Sequence, residues 1–589
     1  MSRLHLSIAM AAALAALFAA PMLLGTFSIT LLNYIGIYAL VAIGLVLMSG
    51  IGGIVSFGQA AFVGVAAYTT AWVTTVAGGS PWLGLLLGLV LTCGVALFLG
   101  LITLRLQGHF LSLSTIAWGL AIGFLFGNME SLGKHSGISS IPPISIGSVD
   151  LVQSWQIYYL IWAIVCVSLL LVYNLLNSRL GRAMRTLRGG NTLVESLGIN
   201  AFRVKVICFV FAAFLAGLSG WLYAHMSRFI SPTPFEPIMG IEYLMMSIVG
   251  GMGSPIGGVL GAAIITLLKN GIQDYLHLLV EAAGQLEIVA FGVLFIIFLQ
   301  YAREGILPRI RGFLPKITPS RPITADPLPV RSKPEPGSEL LNVDRVERRF
   351  GGLIAVNQVT FDVKAGEILG LIGPNGAGKS TMFNLLTGAL MASSGSIRFA
   401  EEEITRKQQS TIARLGIART FQHVKLRPRM SLLENVMLGT HPRTRSGLLR
   451  GALRLNRHEE AQVRHEAMRQ LERVGLGDKP YELAGNLSLG DQRVLEIARA
   501  LAADPILLVL DEPAAGLRRH EKQRLSALLK ALNAEDKTTI MIVEHDMEFV
   551  MGLVSRIVVM DFGEKLCEGL PAEVRDDPRV QEAYLGGTA

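Results

Sequence analysis

A glycine-rich loop in the second half of this 589-residue chain carries residue types that hold phosphate groups. A strand-like apolar run, 368–372, leads into Gly373, Pro374, Asn375, Gly376, Ala377, Gly378, Lys379, Ser380 and Thr381. The order of strand, loop and helix is the context in which the spacing G-x-x-x-x-G-K-[ST] binds nucleotide phosphates. Backbone N–H groups of such a loop surround the phosphate, and the helix N-terminus adds positive potential. We therefore predict that Lys379 contacts the β- and γ-phosphates and that the Ser380 hydroxyl is a ligand of Mg²⁺.

Two consecutive acids, Asp511 and Glu512, follow a second apolar run, 506–510. An apolar strand delivers such residues to the carboxyl edge of a parallel sheet, where α/β folds bind their ligands. Asp511 is predicted to be a ligand of Mg²⁺, and Glu512 is predicted to polarise the water that attacks the terminal phosphate. The alternative is a solvated pair of surface carboxylates, and the preceding apolar strand argues against it.

The hydropathy of the chain indicates two kinds of domain, which together must position these residues. Hydrophobic residues make up 51% of the chain and the mean hydropathy is +0.49, which indicates mass embedded in a bilayer. We predict a polytopic α-helical membrane domain over 1–312, with about eight to ten helices. An α/β P-loop NTPase domain with a helical subdomain is predicted over 340–589. The intervening residues 313–339 contain seven prolines, which is typical of an extended tether.

Apolar runs long enough to span ~30 Å of hydrocarbon define the membrane domain. They lie near 8–25, 29–49, 54–77, 82–104, 110–127, 157–176, 206–224 and 286–301. The longer stretch 238–268 is interrupted by glycines and a proline, so we predict two helices or a re-entrant pair there. Residues 1–25 have a second interpretation, as a cleaved signal peptide.

The segment 177–205 holds six basic residues against one acid, which predicts a cytoplasmic loop. Counting crossings from this loop gives about ten, with both chain ends inside. Two interpretations of the loop stay open: an ordinary positively charged cytoplasmic loop, or an element that couples the NTPase domain to the membrane domain. The glycine-rich stretches 49–53 and 250–255 likewise indicate either a transport pathway or close helix packing.

The net charge of +8 could indicate a nucleic-acid partner. Here the basic excess lies in loops beside apolar runs, where it sets membrane orientation. We therefore predict contact with membrane lipid and no nucleic-acid partner.

Further landmarks of the second half resemble those of ABC-transporter ATPases in their order and spacing. Gln422 resembles the Q-loop glutamine, and His545 resembles the switch histidine. Ser488 and Gly490 lie in a run that resembles the signature motif, which in this family contacts the γ-phosphate bound by the opposite subunit. Phe350 resembles the aromatic residue that stacks on adenine.

This resemblance implies an ATP hydrolase whose reaction drives transport, with ATP and Mg²⁺ as cofactors. The implied catalytic residues are Glu512, His545, Lys379 and Gln422. The implied metal ligands are Ser380, Gln422 and Asp511. The implied nucleotide-binding residues are those of the loop 373–381, together with Phe350, Ser488 and Gly490.

Three positions depart from the general pattern of ABC-transporter ATPases, and these departures point to a narrower family among them. Leu489 stands where the signature usually has its first glycine, Asp491 replaces its usual glutamine, and Arg518 replaces a usual Asn or Asp. With Ser488 and Gly490 still present, we expect hydrolysis to persist.

Four features resemble ATPases of branched-chain amino acid importers. They are a signature of this type, the Arg-Thr-Phe-Gln run, the C-terminal run 577–586 and the basic stretch 441–470. A surface-binding amphipathic helix is the alternative for 441–470.

The first half resembles the membrane subunit of the same family through the runs 54–60, 104–108 and 247–253. The resemblance implies a permease–ATPase fusion that imports branched-chain amino acids, or related small carboxylates and amides, across the bacterial inner (plasma) membrane, with a cytoplasmic ATPase domain. It also implies a second permease and a second ATPase subunit, or a second copy of this chain, and an extracytoplasmic solute-binding protein. Three alternatives stay open: an importer of urea, short amides or aromatic acids, an ABC exporter half-transporter, and a membrane-anchored mechanical ABC ATPase.

Overall fold

A computed structural model describes residues 3–106, 108–279, 289, 292–293, 295–298, 300–301, 305–312 and 325–585, and its contacts divide the chain into two units. The helical unit comprises Met1–Asn177 and Phe202–Pro319. The sheet unit comprises Ser178–Ala201 and Ser320–Ala589. The division therefore assigns the basic loop to the sheet unit, although the loop lies between two helices of the helical unit in the sequence.

Long apolar helices build the helical unit. In chain order the helices described in full as far as residue 312 include α1 (Arg3–Leu23), α2 (Thr26–Leu45), α3 (Gln59–Thr75), α4 (Pro81–Thr103), α5 (His109–Asn128), α6 (Ser154–Leu176), α7 (Arg179–Thr186), α8 (Asn191–Ser196), α9 (Ala201–Ser227), α10 (Pro237–Gly250), α11 (Pro255–Leu279) and α12 (Ile306–Gly312). Of these, α7 and α8 belong to the sheet unit. A two-stranded hairpin, β1 (Ser145–Ile146) and β2 (Val149–Asp150), lies between α5 and α6.

Six helical segments within the described residues are long and apolar enough to cross a membrane: Thr26–Ile51, Pro81–Thr103, His109–Asn128, Ser154–Leu176, Ala201–Ser227 and Pro255–Asp274. The stretch 238–268 forms two helices, α10 and α11, as predicted. Seven of the sixteen residues of the run 286–301 lie outside the described residues, so the count of about ten crossings stays a prediction.

The predicted run 54–77 is wrong at its beginning, because α3 starts only at Gln59. The preceding residues are held outside a helix by one local and one long-range hydrogen bond. Ser56 Oγ accepts from the Gly58 N–H at 3.3 Å, and Thr115 Oγ1 accepts from the Phe57 N–H at 3.2 Å. Apolar composition alone did not reveal this break.

The two glycine-rich stretches lie against each other. After α2 the chain continues as a π-helix, Val46–Ile51, in which Ser49 Oγ donates to the Ile54 carbonyl at 2.7 Å. A Cβ atom added to Gly50 would lie only 2.1 Å from the Met252 carbonyl oxygen. Small residues thus permit close packing here, as one of the two interpretations predicted. A role in the transport pathway stays a prediction.

Two sheets form the core of the sheet unit. Their strands are β3 (Glu339–Phe350), β4 (Leu353–Lys364), β5 (Ile368–Ile372), β6 (Ser394–Phe399), β7 (Glu402–Glu403), β8 (Ile417–Arg419), β9 (Leu507–Asp511), β10 (Thr539–Val543), β11 (Arg556–Asp561) and β12 (Glu564–Gly569). The larger sheet has the order β12-β11-β5-β10-β9-β8, with β12 antiparallel to its neighbour and the other pairs parallel. The smaller sheet, β4-β3-β6-β7, is antiparallel.

Central strands β5, β9 and β10 are buried along their whole length, because both faces of a parallel sheet are covered. The helices of this part of the unit are α13 (Lys379–Leu386), α14 (Gln409–Leu415), α15 (Leu432–Gly439), α16 (Leu448–Ala452), α17 (Arg457–Arg473), α18 (Leu489–Leu501), α19 (Arg519–Asp536), α20 (Met547–Met551), α21 (Pro571–Asp576) and α22 (Pro578–Leu585). Helices α15, α17 and α18 pack against one another as a helical subdomain. The predicted α/β fold with a helical subdomain is therefore confirmed.

Part of the proline-rich segment packs onto the sheet unit. Leu328 is 3% exposed and belongs to the core. The Arg331 N–H donates to Asp504 Oδ2 at 2.6 Å, and Lys333 Nζ donates to the Asp536 carbonyl at 2.8 Å. These residues form a bound strap, in contrast to the extended tether predicted from their composition.

Candidate functional site

The phosphate-type loop connects β5 to α13 through a backbone that requires glycine. Gly373, Gly376 and Gly378 have φ angles of +153°, +86° and +92°. A Cβ atom on Gly373 would lie 2.0 Å from the Met560 carbonyl oxygen, and one on Gly378 would lie 2.4 Å from the Ala355 carbonyl oxygen. Neighbouring backbone therefore fixes the loop in a curled conformation with no room for side chains at these two positions.

Lys379 folds back over this loop. Its Nζ donates to the carbonyl oxygens of Gly373 and Pro374, at 2.7 and 2.8 Å. Burial lowers the pKa of the Lys379 ammonium, while nearby Glu512 and Asp511 oppose that shift. The lysine is thus already held at the loop, with two acids close enough to favour its charge.

Asp511 ends β9 with a carboxylate oxygen that lacks a partner. Its Oδ1 is buried and accepts no hydrogen bond from the described residues. Burial raises the pKa of the Asp511 carboxyl to about 6, although Arg419 opposes the shift. An orphan carboxylate oxygen at the end of a parallel strand suits a hard divalent cation, which binds oxygen ligands. The residues present therefore fit Mg²⁺.

Glu512, Gln422 and His545 come together beside this carboxylate. Gln422 Nε2 donates to Glu512 Oε2 at 3.0 Å, and His545 Nδ1 lies 3.9 Å from the same oxygen. Glu512 has a φ angle of +44°, in the left-handed region that non-glycine residues rarely adopt. Strand order explains the meeting, because β8 precedes Gln422, β9 precedes Glu512 and β10 precedes His545, and these three strands are adjacent.

A cleft of about 520 Å³ connects the phosphate-type loop with Gln422 and Glu512. Its lining includes Phe350, residues 375–381, Gln422 and Glu512. The Phe350 ring is 43% exposed, and the Arg348 guanidinium lies 4.6 Å from its centroid. An exposed aromatic at one end and a phosphate-type loop at the other suit a nucleotide, whose base stacks and whose phosphates bind backbone N–H groups.

Ser488 and Gly490 are not among the residues that line this cleft in the described part of the chain. Ser488 is the N-cap of α18, where its Oγ accepts from the Asp491 N–H at 3.2 Å. A Cβ atom on Gly490 would lie 2.5 Å from Glu521 Oε1. Arg518, the third departure from the general pattern, is the N-cap of α19.

Two buried charged residues form hydrogen bonds with the backbone of the site. The sequence motifs assigned no role to either of them. Glu544 is fully buried, and its carboxylate accepts from the N–H groups of Ala514 and His545, at 2.7 and 3.1 Å. Burial raises the pKa of Glu544. Arg493 donates to the Phe421 and Gln422 carbonyls, at 2.7 and 2.5 Å. Each residue adjoins a recognised motif, but sequence spacing gives no sign of the long-range contacts it makes.

Residues 178–201, hereafter the docking segment, contact the helical part of the sheet unit. Arg182 forms a two-pronged ion pair with Glu460, and Arg185 Nη1 lies 2.9 Å from Glu434 Oε1. Arg179 Nη2 donates to the His441 carbonyl at 3.0 Å. Three arginines of α7 thus contact the regions around α15 and α17.

A further hydrogen bond holds the C-terminal end of the docking segment. Arg414 Nε donates to the Gly198 carbonyl at 2.9 Å. Gly198 has a φ angle of +71°, and a Cβ atom there would lie 3.0 Å from Pro442 Cγ. A glycine is therefore required by both backbone conformation and space.

Fold and site together define an ATP-binding cassette in a multi-pass membrane chain, and so a permease–ATPase fusion of an ABC transporter. Cassettes of this class bind ATP, hydrolyse it to drive transport and function as dimers. By its matches to known proteins, the chain belongs to the branched-chain amino acid transport family of ABC transporters. Residues 27–299 match the family described as "Branched-chain amino acid transport system / permease component", 356–515 match "ABC transporter", and 564–589 match "Branched-chain amino acid ATP-binding cassette transporter".

Two curated relatives resemble the sheet unit. The high-affinity branched-chain amino acid transport ATP-binding protein LivG of Salmonella typhimurium is 44% identical over 249 residues, 42% of this chain and 98% of that protein. The corresponding protein BraF of Pseudomonas aeruginosa is 42% identical over 249 residues, with the same coverage of 42% and 98%. A crystal structure of the ADP conformation of the cassette MJ1267 shares 33% identity over 42% of this chain and 100% of its own, with a TM-score of 0.38.

Proposed function

We propose that this chain imports branched-chain amino acids, or related small carboxylates and amides, across the inner (plasma) membrane. The observation that carries the proposal is that both halves of the chain independently match proteins named for branched-chain amino acid transport: the permease family over 27–299 and LivG at 44% identity. The ATPase domain lies in the cytoplasm, where ATP is available, and this agrees with the positive charge of the docking segment.

The nucleotide site works through residues that the cleft brings together. The adenine base stacks on Phe350, and the phosphates bind the loop 373–381. Lys379 leaves the Gly373 and Pro374 carbonyls to contact the β- and γ-phosphates, exchanging two neutral acceptors for charged ones. Ser380, Gln422 and Asp511 would hold Mg²⁺, and the bound ion would neutralise phosphate charge.

Glu512 accepts the proton of the attacking water. Its contact with Gln422 and its position 3.9 Å from His545 Nδ1 support this role, because a base must be oriented toward the reacting atoms. Glu544 positions His545 by accepting from its backbone N–H. The catalytic residues are therefore Glu512, His545, Lys379 and Gln422, and Glu544 is a positioning residue.

A second cassette completes each site. Ser488 and Gly490 are absent from the lining of the cleft in the described part of the chain, which supports their contact with the nucleotide of an opposite subunit. We expect a second permease and a second ATPase as separate chains, and an extracytoplasmic solute-binding protein. Mass determination of the purified complex tests this: a stable assembly of two copies of this chain alone would remove the need for separate partner chains.

The docking segment transmits cassette movement to the permease. Its ion pairs with Glu434 and Glu460 connect it to the helical subdomain. In the sequence it lies between α6 and α9 of the helical unit. Closure of two cassettes around ATP would displace this segment, and hydrolysis would return it.

The decisive experiment measures ATPase stimulation in the reconstituted complex with its binding protein, over a panel of small carboxylates, amides and urea. Stimulation by leucine, isoleucine or valine is the expected result. Stimulation only by urea, an amide or an aromatic acid would retain the importer and change its cargo. Steady hydrolysis that no solute stimulates would contradict import and favour an exporter or a mechanical ATPase.

A further inference from the structure

The helical unit contains a cavity of about 190 Å³ between α2, α10 and α11. This volume is below the ~300–1,000 Å³ of pockets for drug-sized ligands, so the cavity suits a small solute. We propose that it is a binding site for a zwitterionic α-amino acid with an aliphatic side chain, which the permease holds during transport. The proposal rests on the proposed function and deepens it, since nothing above assigns a substrate site within the permease.

An ion pair forms the polar wall of the cavity. Lys269 Nζ lies 2.9 Å from Glu242 Oε1 and 3.2 Å from Oε2. The lysine side chain is 40% exposed and the glutamate side chain 17%, so both charges are accessible from the cavity. Ionisable residues within membrane helices are costly, and they commonly mark the path of a substrate or ion.

The pair has the charge pattern that a zwitterion complements. An α-amino acid carries a carboxylate and an ammonium on one carbon atom, so its carboxylate can bind Lys269 while its ammonium binds Glu242. The site and the ligand are each neutral overall, and binding therefore brings no net charge into the membrane domain. A carboxylate or an amine alone would leave one member of the pair without its partner, which is unfavourable in a partly desolvated site.

Other lining residues provide a hydrogen bond and an apolar wall. Thr266 Oγ1 is buried and has no hydrogen-bond partner among the described residues, so it is available to a ligand. Leu31, Met246 and Ile265 line the same cavity. These side chains suit an aliphatic group, and methionine adapts to different shapes. Tyr34, Tyr38, Asn270 and Gln273 also line the cavity, so the lining accepts an aliphatic side chain but does not by itself select against a polar one.

The cavity also lies toward the side where substrate would arrive. Since the docking segment is predicted to be cytoplasmic, one crossing by α9 places the start of α10 on the external side. Glu242 is the sixth residue of α10, which begins at Pro237. A solute released by an extracytoplasmic binding protein would meet this end of the permease first.

The test measures binding to the complete purified transporter in lipid nanodiscs, without the binding protein. Three probes are compared: leucine, isopentylamine, which lacks the carboxylate, and 4-methylpentanoate, which lacks the ammonium. We expect leucine to bind best. In Lys269→Gln the preference for leucine over isopentylamine should disappear, and in Glu242→Gln the preference over 4-methylpentanoate should disappear. Each loss of leucine affinity should be roughly 30-fold or more, the scale of removing one partner of a desolvated charge pair.

A purely structural ion pair gives a different pattern. It would lower the affinity for all three probes equally in both variants, or leave leucine binding unchanged, and either result would overturn the proposal. Lys134→Gln is the matched control, because it removes an exposed ion pair with Glu130 from the same unit. Its probe preferences should equal those of the wild type.

Two further outcomes distinguish a failure of this proposal from a failure of the proposed function. If the wild-type complex with its binding protein does not transport branched-chain amino acids, the proposed function fails. If it transports leucine but neither single variant raises the KM for uptake, the cavity is not the site. Should the single variants fail to assemble, the double variant Glu242→Lys with Lys269→Glu retains a pair of reversed polarity. A raised KM in that variant supports the site, whereas wild-type transport contradicts it.

Discussion

Arg182 and Glu460 form a two-pronged ion pair across 278 positions of sequence, with N–O distances of 2.5 and 3.1 Å. The two side chains are only 6% and 13% exposed. Removing one partner of such a pair leaves a desolvated charge and costs about 3–5 kcal/mol. The pair therefore anchors the docking segment more strongly than the half-exposed contact between Arg185 and Glu434.

Breaking this pair should uncouple hydrolysis from transport. We expect Arg182→Gln or Glu460→Gln to retain ATPase activity while the solute transported per ATP falls by roughly tenfold or more, the scale of losing more than 1.4 kcal/mol of docking. The swapped double variant, Arg182→Glu with Glu460→Arg, should recover part of the coupling. Arg575→Gln, which removes an exposed ion pair with Asp576, is the control. Equal coupling in all variants would show that the pair has no part in transmission.

Gly198 should not tolerate alanine. A Cβ atom there meets Pro442 at 3.0 Å, and the positive φ angle adds strain of about 1–2 kcal/mol. We expect Gly198→Ala to lower the solute transported per ATP, measured in proteoliposomes. Gly447→Ala is a suitable comparison, because Gly447 has open space around it and an extended backbone. The prediction is wrong if both alanine variants couple equally well.

Acid pH should weaken docking through His441. Burial, together with Arg179, Arg182 and Arg414, holds the pKa of His441 well below its ordinary value. The docked state therefore binds fewer protons than the undocked state, so docking is strongest above a pH of about 6.5 and weakens as the pH falls below it. Transport per ATP should decline over that range in the wild type. His441→Gln should flatten the profile, and an unchanged profile would exclude this histidine as the cause.

Glu512→Gln should stop turnover while ATP still binds. The amide keeps the size of the side chain but cannot accept the proton of the attacking water, so hydrolysis should fall by roughly 10²–10⁴-fold. Radiolabelled ATP retained by the complex measures the trapped state. Glu582→Gln, at an exposed carboxylate of the C-terminal helix, should hydrolyse ATP normally. Ordinary turnover by Glu512→Gln would refute its assignment as the base.

Local spacing made most of the nucleotide site predictable. The conformation of the loop 373–378 depends on its own glycines, and the strand before it could be recognised from a short apolar run. The meeting of Gln422 with Glu512 required only that their strands be neighbours in a parallel sheet. Such features depend on a few adjacent residues or on general rules of sheet topology.

Long-range packing could not be predicted in the same way. The sequence shows a basic loop and many carboxylates in the second half, but nothing in it pairs Arg182 with Glu460 rather than with another carboxylate. The late start of α3 depends on Thr115, far away in sequence, and the bound strap depends on Asp504 and Asp536. Each of these contacts joins residues that are far apart in the sequence, so no local sequence pattern indicates it.

The docking segment and the surface that it contacts belong to one polypeptide. Their association therefore depends on the effective concentration that this covalent connection sets, as well as on their intrinsic affinity. Covalent connection commonly keeps two such elements at an effective concentration on the order of millimolar. At 1 mM, an intrinsic free energy of about −4 kcal/mol is enough for half occupancy. The interface can therefore release and re-form in every cycle, and a competing cassette supplied as a separate chain would need far higher affinity to displace the attached one.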